Sequence, residues 1–350
     1  MSSEQPLFFL HSGEHPTLPH AELRAILEAE GFRFRTREEL AQLTRIWCSP
    51  ACAPRVVARA AMTRACCLEL FSCPASEDAI MSSAAGAELA RYLRPGQSFR
   101  VRVKRVRGYG RELNTLRLER ELGAIIYRAA EGVKVNLEKP DVDFLGVVTE
   151  GRFFFGLKLS ELIKPGFSER RPSKKPFFHP TAMMPKLARC MVNLSRARPG
   201  ELVLDPFCGT GSIVVEAALI GCRAVGADLS TRMAFGALLN ARFLGIEPHG
   251  ILVADALRPP LRPDRVDRVV ADPPYGRSAT TAGLGVAEIY ERFLALLPEL
   301  LPEGHMACLA APSDLGIEKM ASDIGLRLVE AHFIYVHGGL TRELVVLQVP

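Results

Sequence analysis

The 350-residue chain has no run of 18 or more apolar residues, so it offers no candidate membrane-spanning helix. Its first residues, MSSEQPLFFLHSGEH, include an acid and only the short LFFL, where a secretory signal needs a basic flank and a longer apolar core. An unprocessed, cytoplasmic protein is expected. No internal repeat is visible. Charge of one sign is scarce: 44 Lys and Arg stand against 39 Asp and Glu, and a net +5 is by itself weak grounds for a nucleic-acid partner. The nine cysteines are odd in number, and many lie in apolar runs such as RAAMTRACCLEL and HMACLAAP, the pattern of small buried side chains rather than bridges. With 48% hydrophobic and 24% charged residues the chain folds rather than staying disordered, and its length predicts two or three domains.

The small charge excess is unevenly placed. From Arg91 to Arg111 (RYLRPGQSFRVRVKRVRGYGR) there are eight Arg or Lys and no acid, and a second basic cluster, RRPSKK, ends at Lys175. Residues 1–170 hold 25 basic against 21 acidic side chains, and residues 171–350 hold 19 against 18, so most of the excess belongs to the first half. The stretch FRVRVKRV alternates, with Phe99, Val101 and Val103 on one face and Arg100, Arg102 and Lys104 on the other, as in a half-buried strand. A helix is expected from Glu112 to Tyr127, then three strands over residues 134–159 with turns at Lys139-Pro140-Asp141 and Glu150-Gly151. Two more helices are expected over 16–30 and 77–93. Arg102, Lys104, Arg105 and Arg107, with Lys174 and Lys175 of the second cluster, are the candidate contacts to a polyanion.

Residues 164–180 carry four prolines and no periodicity and read as a linker. Beyond them, short apolar runs (ELVL, RAVGA, GILVA, DRVVA) alternate with helical segments, as parallel strands buried on both faces do. A doubly wound, Rossmann-like α/β domain is expected there.

In LVLDPFCGTGSIVVEAALIG a strand ends, a tight turn carries Gly209 and Gly211, and a helix begins near Ser212. Ligands of such sheets bind at the carboxyl ends of the strands, where glycines allow close approach to the backbone. A dinucleotide site needs Gly or Ala where Val214 stands, and a P-loop needs Lys followed by Ser or Thr after its last glycine. Neither is present. Asp205 opens the loop, where it can meet a ligand ammonium, and Asp228 ends the next strand, where it can accept from a ribose diol. Asp255 ends the third. Three carboxylates after three strands suit the cofactor S-adenosylmethionine better than a bare turn.

Asp272-Pro273-Pro274-Tyr275 follows the fourth strand. The lone pair of an exocyclic base amine is delocalised into its ring. A carboxylate and a rigid backbone carbonyl that accept its two hydrogens localise that pair toward a methyl sulfonium, while an aromatic ring stacks on the base. Asp272, the Pro273 carbonyl and Tyr275 supply these parts, and the Pro-Pro pair keeps the carbonyl out of a strand ladder.

DPFCGTG followed by DPPYG resembles the amino-methyltransferases of nucleic acids, and HPTAMMPKLARCMVNL, from His179, resembles their motif over the methionine end of the cofactor. Residues from about 60 to 160 resemble the THUMP RNA-binding module, and YVHGGLTRELVVL is similar to the tail of the archaeal tRNA guanosine-10 N2-methyltransferases. This resemblance implies a ferredoxin-like region over 1–60, a THUMP domain over 61–163, a linker over 164–178 and a methyltransferase domain over 179–350. It implies methyl transfer from S-adenosylmethionine to the N2 amine of a tRNA guanosine, at position 10 or, as in a sister group, position 6. Asp272, Pro273 and Tyr275 would be catalytic. Pro180, Thr181, Asp205, Phe207, Gly209, Thr210, Gly211, Asp228 and Asp255 would hold the cofactor, with Asp228 on the ribose and Asp255 on the adenine amine. A small zinc-binding activator is an implied partner.

Other readings compete less well. A DNA adenine-N6 or cytosine-N4 methyltransferase shares the Asp-Pro-Pro-Tyr chemistry but does not need the basic α+β region, and a non-catalytic RNA-binding subunit would show a damaged cofactor loop. A thiouridine synthetase would need an ATP loop, which is absent. Cys208 lacks a paired catalytic cysteine and is read as packing. Cys48, Cys52, Cys66 and Cys67 do not match a familiar zinc spacing, and no metal is expected.

Overall fold

The structure, a computed structural model, describes residues 4–162, 166–262, 265–275, 284–337 and 340–350. By internal packing the chain divides into two units, residues 1–23, 31–58 and 62–163 in one and 24–30, 59–61 and 164–350 in the other. No helix among the described residues is long and apolar enough to cross a membrane.

In chain order the elements of the first 161 residues are β1 (Gln5–His11), α1 (Leu18–Ala29), β2 (Phe34–Leu40), β3 (Leu43–Cys48), α2 (Cys52–Arg59), β4 (Thr63–Pro74), α3 (Glu77–Gly86), β5 (Ser98–Arg105), α4 (Thr115–Ala129), β6 (Lys134–Val135), β7 (Val142–Thr149) and β8 (Arg152–Glu161). The strands form one sheet in the order β2-β3-β1-β4-β8-β7-β5-β6. Because β1 pairs with both β3 and β4, the boundary expected at residue 60 falls inside a continuous sheet. The alternating segment is β5, with Phe99, Val101 and Val103 buried against Leu118, Leu122 and Ile126 of α4. That helix starts at Thr115 rather than Glu112 because the Asn114 side chain caps it, accepting from the Arg117 N–H at 3.1 Å. The helix expected over 77–93 ends at Gly86, and Leu89–Tyr92 is a separate 3₁₀ turn.

The cations of β5 are not all free. Parallel pairing sets Asp143 of β7 opposite Arg100, 2.6 Å from its Nη2, and Arg102 pairs with Glu119 of α4 at 3.1 Å. Arg105 donates to the Arg111 carbonyl at 3.2 Å. Lys104 and Arg107 are exposed, and no ion pair among the described residues takes them up.

In the second unit the elements are α5 (Pro185–Leu194), β9 (Leu202–Asp205), α6 (Ser212–Leu219), β10 (Arg223–Asp228), α7 (Thr231–Phe243), β11 (Gly250–Val253), β12 (Arg268–Ala271), α8 (Val286–Leu300), β13 (Met306–Pro312), α9 (Ile317–Asp323), β14 (Arg327–His337) and β15 (Leu340–Gln348). The sheet order is β11-β10-β9-β12-β13-β15-β14, and only β15 runs against its neighbours. This is the expected Rossmann-like α/β sheet, with a C-terminal hairpin that places β15 between β13 and β14. Val203, Leu204, Val269, Val270 and Ala271 are buried, as strands covered on both faces require. The winding reverses between β9 and β12, and ligands of such sheets bind beyond the carboxyl ends at that point.

Residues 166–178 are not a free linker. Arg170 Nε donates to the buried Glu216 of α6 at 2.6 Å, Phe167 is buried beneath the Arg170 and Arg189 guanidiniums, and the Phe177 N–H donates to Asn240 Oδ1 at 3.0 Å. Prolines spoil periodicity without preventing packing. Lys175, expected to meet RNA, is buried with its Nζ 3.3 Å from Ser212 Oγ, and burial lowers its pKa. It is not an RNA contact; Lys174 is exposed.

Candidate active site

Loop 206–211 turns from β9 into α6 through two left-handed glycines, Gly209 (φ 50°) and Gly211 (φ 80°). Their tasks differ. A Cβ on Gly211 would lie 3.0 Å from Ala237 Cβ and 3.2 Å from its Cα, so this glycine lets α6 approach α7, and it does not line the cavity beside the loop. A Cβ on Gly209 would meet nothing nearer than the Phe207 carbonyl at 3.9 Å, which leaves room for a ligand against the backbone. The Gly209 N–H donates to Asp228 Oδ2 at 3.0 Å, and the Ser230 N–H donates to Oδ1 at 2.8 Å.

The loop borders a cavity of about 850 Å³. Every other expected cofactor residue lines it: Pro180, Thr181, Asp205, Phe207, Gly209, Thr210, Asp228 and Asp255. Thr181 Oγ1 lies 2.7 Å from His179 Nδ1, and Asp255 Oδ1 accepts from the Leu257 N–H at 2.9 Å. Asp205 is buried and accepts only from the Phe207 N–H, at 3.2 Å among the described residues. Burial pushes its carboxyl well above the usual range; that N–H opposes the shift, and the Asp272 and Asp228 charges add to it. Burial also raises Asp228, against the N–H groups of Ser230 and Gly209. Cys208 is buried, and burial pushes its thiol up, in keeping with a packing role. Cys48, Cys52, Cys66 and Cys67 are buried as well, and among the described residues no group of three His, Cys, Asp or Glu side chains could hold a metal ion.

Asp272, Pro273 and Tyr275, at the carboxyl end of β12, line the same cavity. The Tyr275 hydroxyl donates to Asp272 Oδ1. Arg342 of β15, to which sequence reasoning assigned no role, stands 3.5 Å from Asp272 Oδ2 and holds its guanidinium 5.2 Å from the centre of the Tyr275 ring. Burial raises the Asp272 carboxyl, and Arg342 and the Tyr275 hydroxyl both pull it back. Chemically the cavity pairs a glycine loop and three carboxylates suited to a nucleoside bearing an ammonium with a carboxylate and aromatic ring suited to an amine-bearing base. In related enzymes the loop after the Asp-Pro-Pro-Tyr motif contacts substrate; here that segment (RSATTAGLG) lies mostly outside the described residues.

Fold and cavity together define a Rossmann-like methyltransferase with an Asp-Pro-Pro-Tyr loop. A family model described as an RMKL-like methyltransferase domain matches residues 172–343. One described as a DNA methylase matches residues 19–235, ending ahead of Asp272. The tRNA (guanine(10)-N2)-dimethyltransferase of Methanothermobacter thermautotrophicus is 38% identical over 342 residues, covering 98% of this chain and 99% of that protein. The enzyme of the same name from Methanocaldococcus jannaschii is 36% identical over 257 residues, 71% of this chain and 70% of that one. The crystal structure of TrmN from Thermus thermophilus superposes with a TM-score of 0.56 at 25% identity, covering 99% of this chain and 100% of that one. The chain belongs to the tRNA (guanine(10)-N2)-dimethyltransferase family.

Proposed function

We propose that this protein transfers one or two methyl groups from S-adenosylmethionine to the N2 amine of a guanosine in tRNA, with position 10 as the target. In this reading the first unit combines a ferredoxin-like N-terminal region with a THUMP RNA-binding region. The observation that carries the proposal is the placement of Asp272 in the same cavity as Asp205, Gly209 and Asp228. An amine held by the first and a methyl held beside the others would share one enclosure.

The residues present fit the cofactor. Gly209 leaves space against the backbone, and Asp205 is a buried carboxylate that a ligand ammonium would pair. Asp228 keeps lone pairs beyond those used by Gly209 and Ser230, enough to accept from a ribose diol. Asp255, exposed at the cavity edge, suits an adenine amine. Bound S-adenosylmethionine supplies an electrophilic methyl. Asp272 accepts one amine N–H of the base and the Pro273 carbonyl the other, which directs the nitrogen lone pair out of the ring plane. To do so, Asp272 Oδ1 must exchange the Tyr275 hydroxyl for the substrate amine, leaving the Tyr275 ring to stack. Lys104 and Arg107, with Arg102, Arg105 and Lys174 in support, would meet phosphates. The activator subunit plays no part in this reading.

The test is incubation with S-adenosylmethionine and unmodified tRNA, digestion, and mass spectrometry of the nucleosides with their positions. N2-methylguanosine or N2,N2-dimethylguanosine at position 10 is expected. Methyl found only as N6-methyladenosine would overturn the guanosine assignment.

A further inference from the structure

The C-terminal hairpin brings a cation into the wall of the cavity. Arg342 sits in register with Pro312 of β13 on one side and Ile334 of β14 on the other, just ahead of the buried run Glu343–Leu347. A guanidinium in so apolar a strand costs desolvation unless something answers it. Its Nη2 faces Asp272 Oδ2 at 3.5 Å and its carbon lies over the Tyr275 ring, but its Nε is buried with no hydrogen-bond partner.

The two oxygens of Asp272 are therefore divided: Oδ2 is turned to Arg342, and Oδ1 carries the Tyr275 hydroxyl. We propose that Arg342 is a positioning residue for amine methylation, anchoring Oδ2 so that Oδ1 is the oxygen offered to the substrate amine, and backing the Tyr275 ring on one face. This rests on the function proposed above and adds to it a residue from outside the Asp-Pro-Pro-Tyr loop, supplied by the last strand of the sheet.

The groups around Asp272 make the role readable as a pH effect. Arg342 faces it from β15, Tyr275 from its own loop, Asp205 from β9 and Tyr290 from α8, whose hydroxyl donates to the Ala310 carbonyl at 2.8 Å. Arg342 is the cation in this set. Without it, burial acts on Asp272 with only the Tyr275 hydroxyl opposing it, and the carboxyl must hold its proton to higher pH. Protonated, it no longer accepts from the amine.

The experiment compares wild type, Arg342→Met and Arg342→Lys as full-length proteins. Circular dichroism and thermal melting check the fold, calorimetry gives S-adenosylmethionine affinity, and tRNA methylation gives kcat and KM between pH 5.5 and 9. Arg342→Met is expected to lose about tenfold or more in kcat and to move the acid limb of the profile up by about one unit, with cofactor affinity within about threefold. Arg342→Lys, which keeps the charge but not the fork, should restore the acid limb while kcat stays several-fold low. An unmoved acid limb in folded Arg342→Met, or wild-type kcat in either variant, overturns the proposal; if Arg342→Met does not fold, the kcat of Arg342→Lys decides. A second readout needs no tRNA: pH-difference infrared spectra of wild type and Arg342→Met, each against its Asp272→Asn counterpart, follow the Asp272 carboxyl band directly. A wild type that methylates no guanosine would sink the function proposed above. The infrared titration would still decide whether Arg342 governs Asp272, an unchanged midpoint in Arg342→Met counting against it.

Discussion

The Gly209 N–H donates to Asp228 Oδ2 at 3.0 Å, fastening the loop after β9 to the end of β10 across 19 residues of sequence. The carboxylate that is to hold a ribose thus also holds the shape of the loop. Asp228→Ala removes the acceptor for both Gly209 and Ser230, and a lost acceptor in a buried setting costs about 1–3 kcal/mol. Calorimetry should show S-adenosylmethionine affinity reduced roughly 10- to 100-fold. Unreduced affinity would exclude Asp228 from the cofactor site.

Asp272 does a different job, and its loss should leave a different trace. Asp272→Ala is expected to bind S-adenosylmethionine nearly as wild type does yet to lose about a hundredfold or more in kcat, the scale of removing one transition-state hydrogen-bond partner. Single-turnover methylation of tRNA separates the two effects. Methylation at the wild-type rate would refute the role of the carboxylate.

RNA contact by β5 and the turn after it is expected to rest on exposed cations without ion pairs, not on the whole basic run. Replacing Lys104 and Arg107 together by Ala should weaken tRNA binding and reduce the slope of log affinity against log salt by about 1.4–1.8, two phosphate contacts' worth of released counterions. Replacing Arg100, which is tied to Asp143, should leave that slope unchanged. Filter binding at several salt concentrations measures both.

What the sequence shows and hides follows from how local each feature is. The strands β9, β10 and β12 are legible because strands covered on both faces read as nearly unbroken Val, Leu, Ile and Ala, and the glycine loop and Asp-Pro-Pro-Tyr lie where those runs stop. Arg342 is not legible. It reaches Asp272 only because the hairpin inserts β15 between β13 and β14, and nothing near residue 342 records that pairing. Lys175 is hidden for the same reason: a basic cluster reads as solvated, whereas Arg170 of that cluster is drawn down by the buried Glu216, far along the chain. The sheet that runs through residue 60 depends on β1 pairing with β4, again a non-local contact. Helix ends are least legible where a single residue decides, as Asn114 does for α4.

Glu343 gives the fold a measurable pH dependence. It is buried beside Glu318, and burial, with the charge and hydrogen bond of Glu318, pushes its carboxyl from 4.5 up to about 7. A carboxyl raised in the folded state stabilises fully below its unfolded pKa, and that stability is lost as pH rises through about 7. Wild type should therefore lose melting temperature relative to Glu343→Gln between pH 5 and pH 8, by on the order of 5 °C. A difference between the two proteins that does not change with pH would show that the pair titrates normally.

Asp205 is expected to couple cofactor binding to a proton. In the free protein burial keeps its carboxyl well above the usual range, so it holds its proton to higher pH than an ordinary carboxyl does. A ligand ammonium in the cavity favours the ionised form, so binding must expel that proton. The sign follows: affinity for S-adenosylmethionine should rise with pH, by up to about tenfold per unit, until the free carboxyl is ionised, and then level off. Calorimetry at pH 6 in buffers of different ionisation enthalpy should detect proton release by wild type and its loss in Asp205→Asn, which should also bind more weakly at pH 8. Equal proton release by the two proteins would mean that the cofactor ammonium is held elsewhere and that Asp205 serves only to turn the chain into the glycine loop through its bond to the Phe207 N–H.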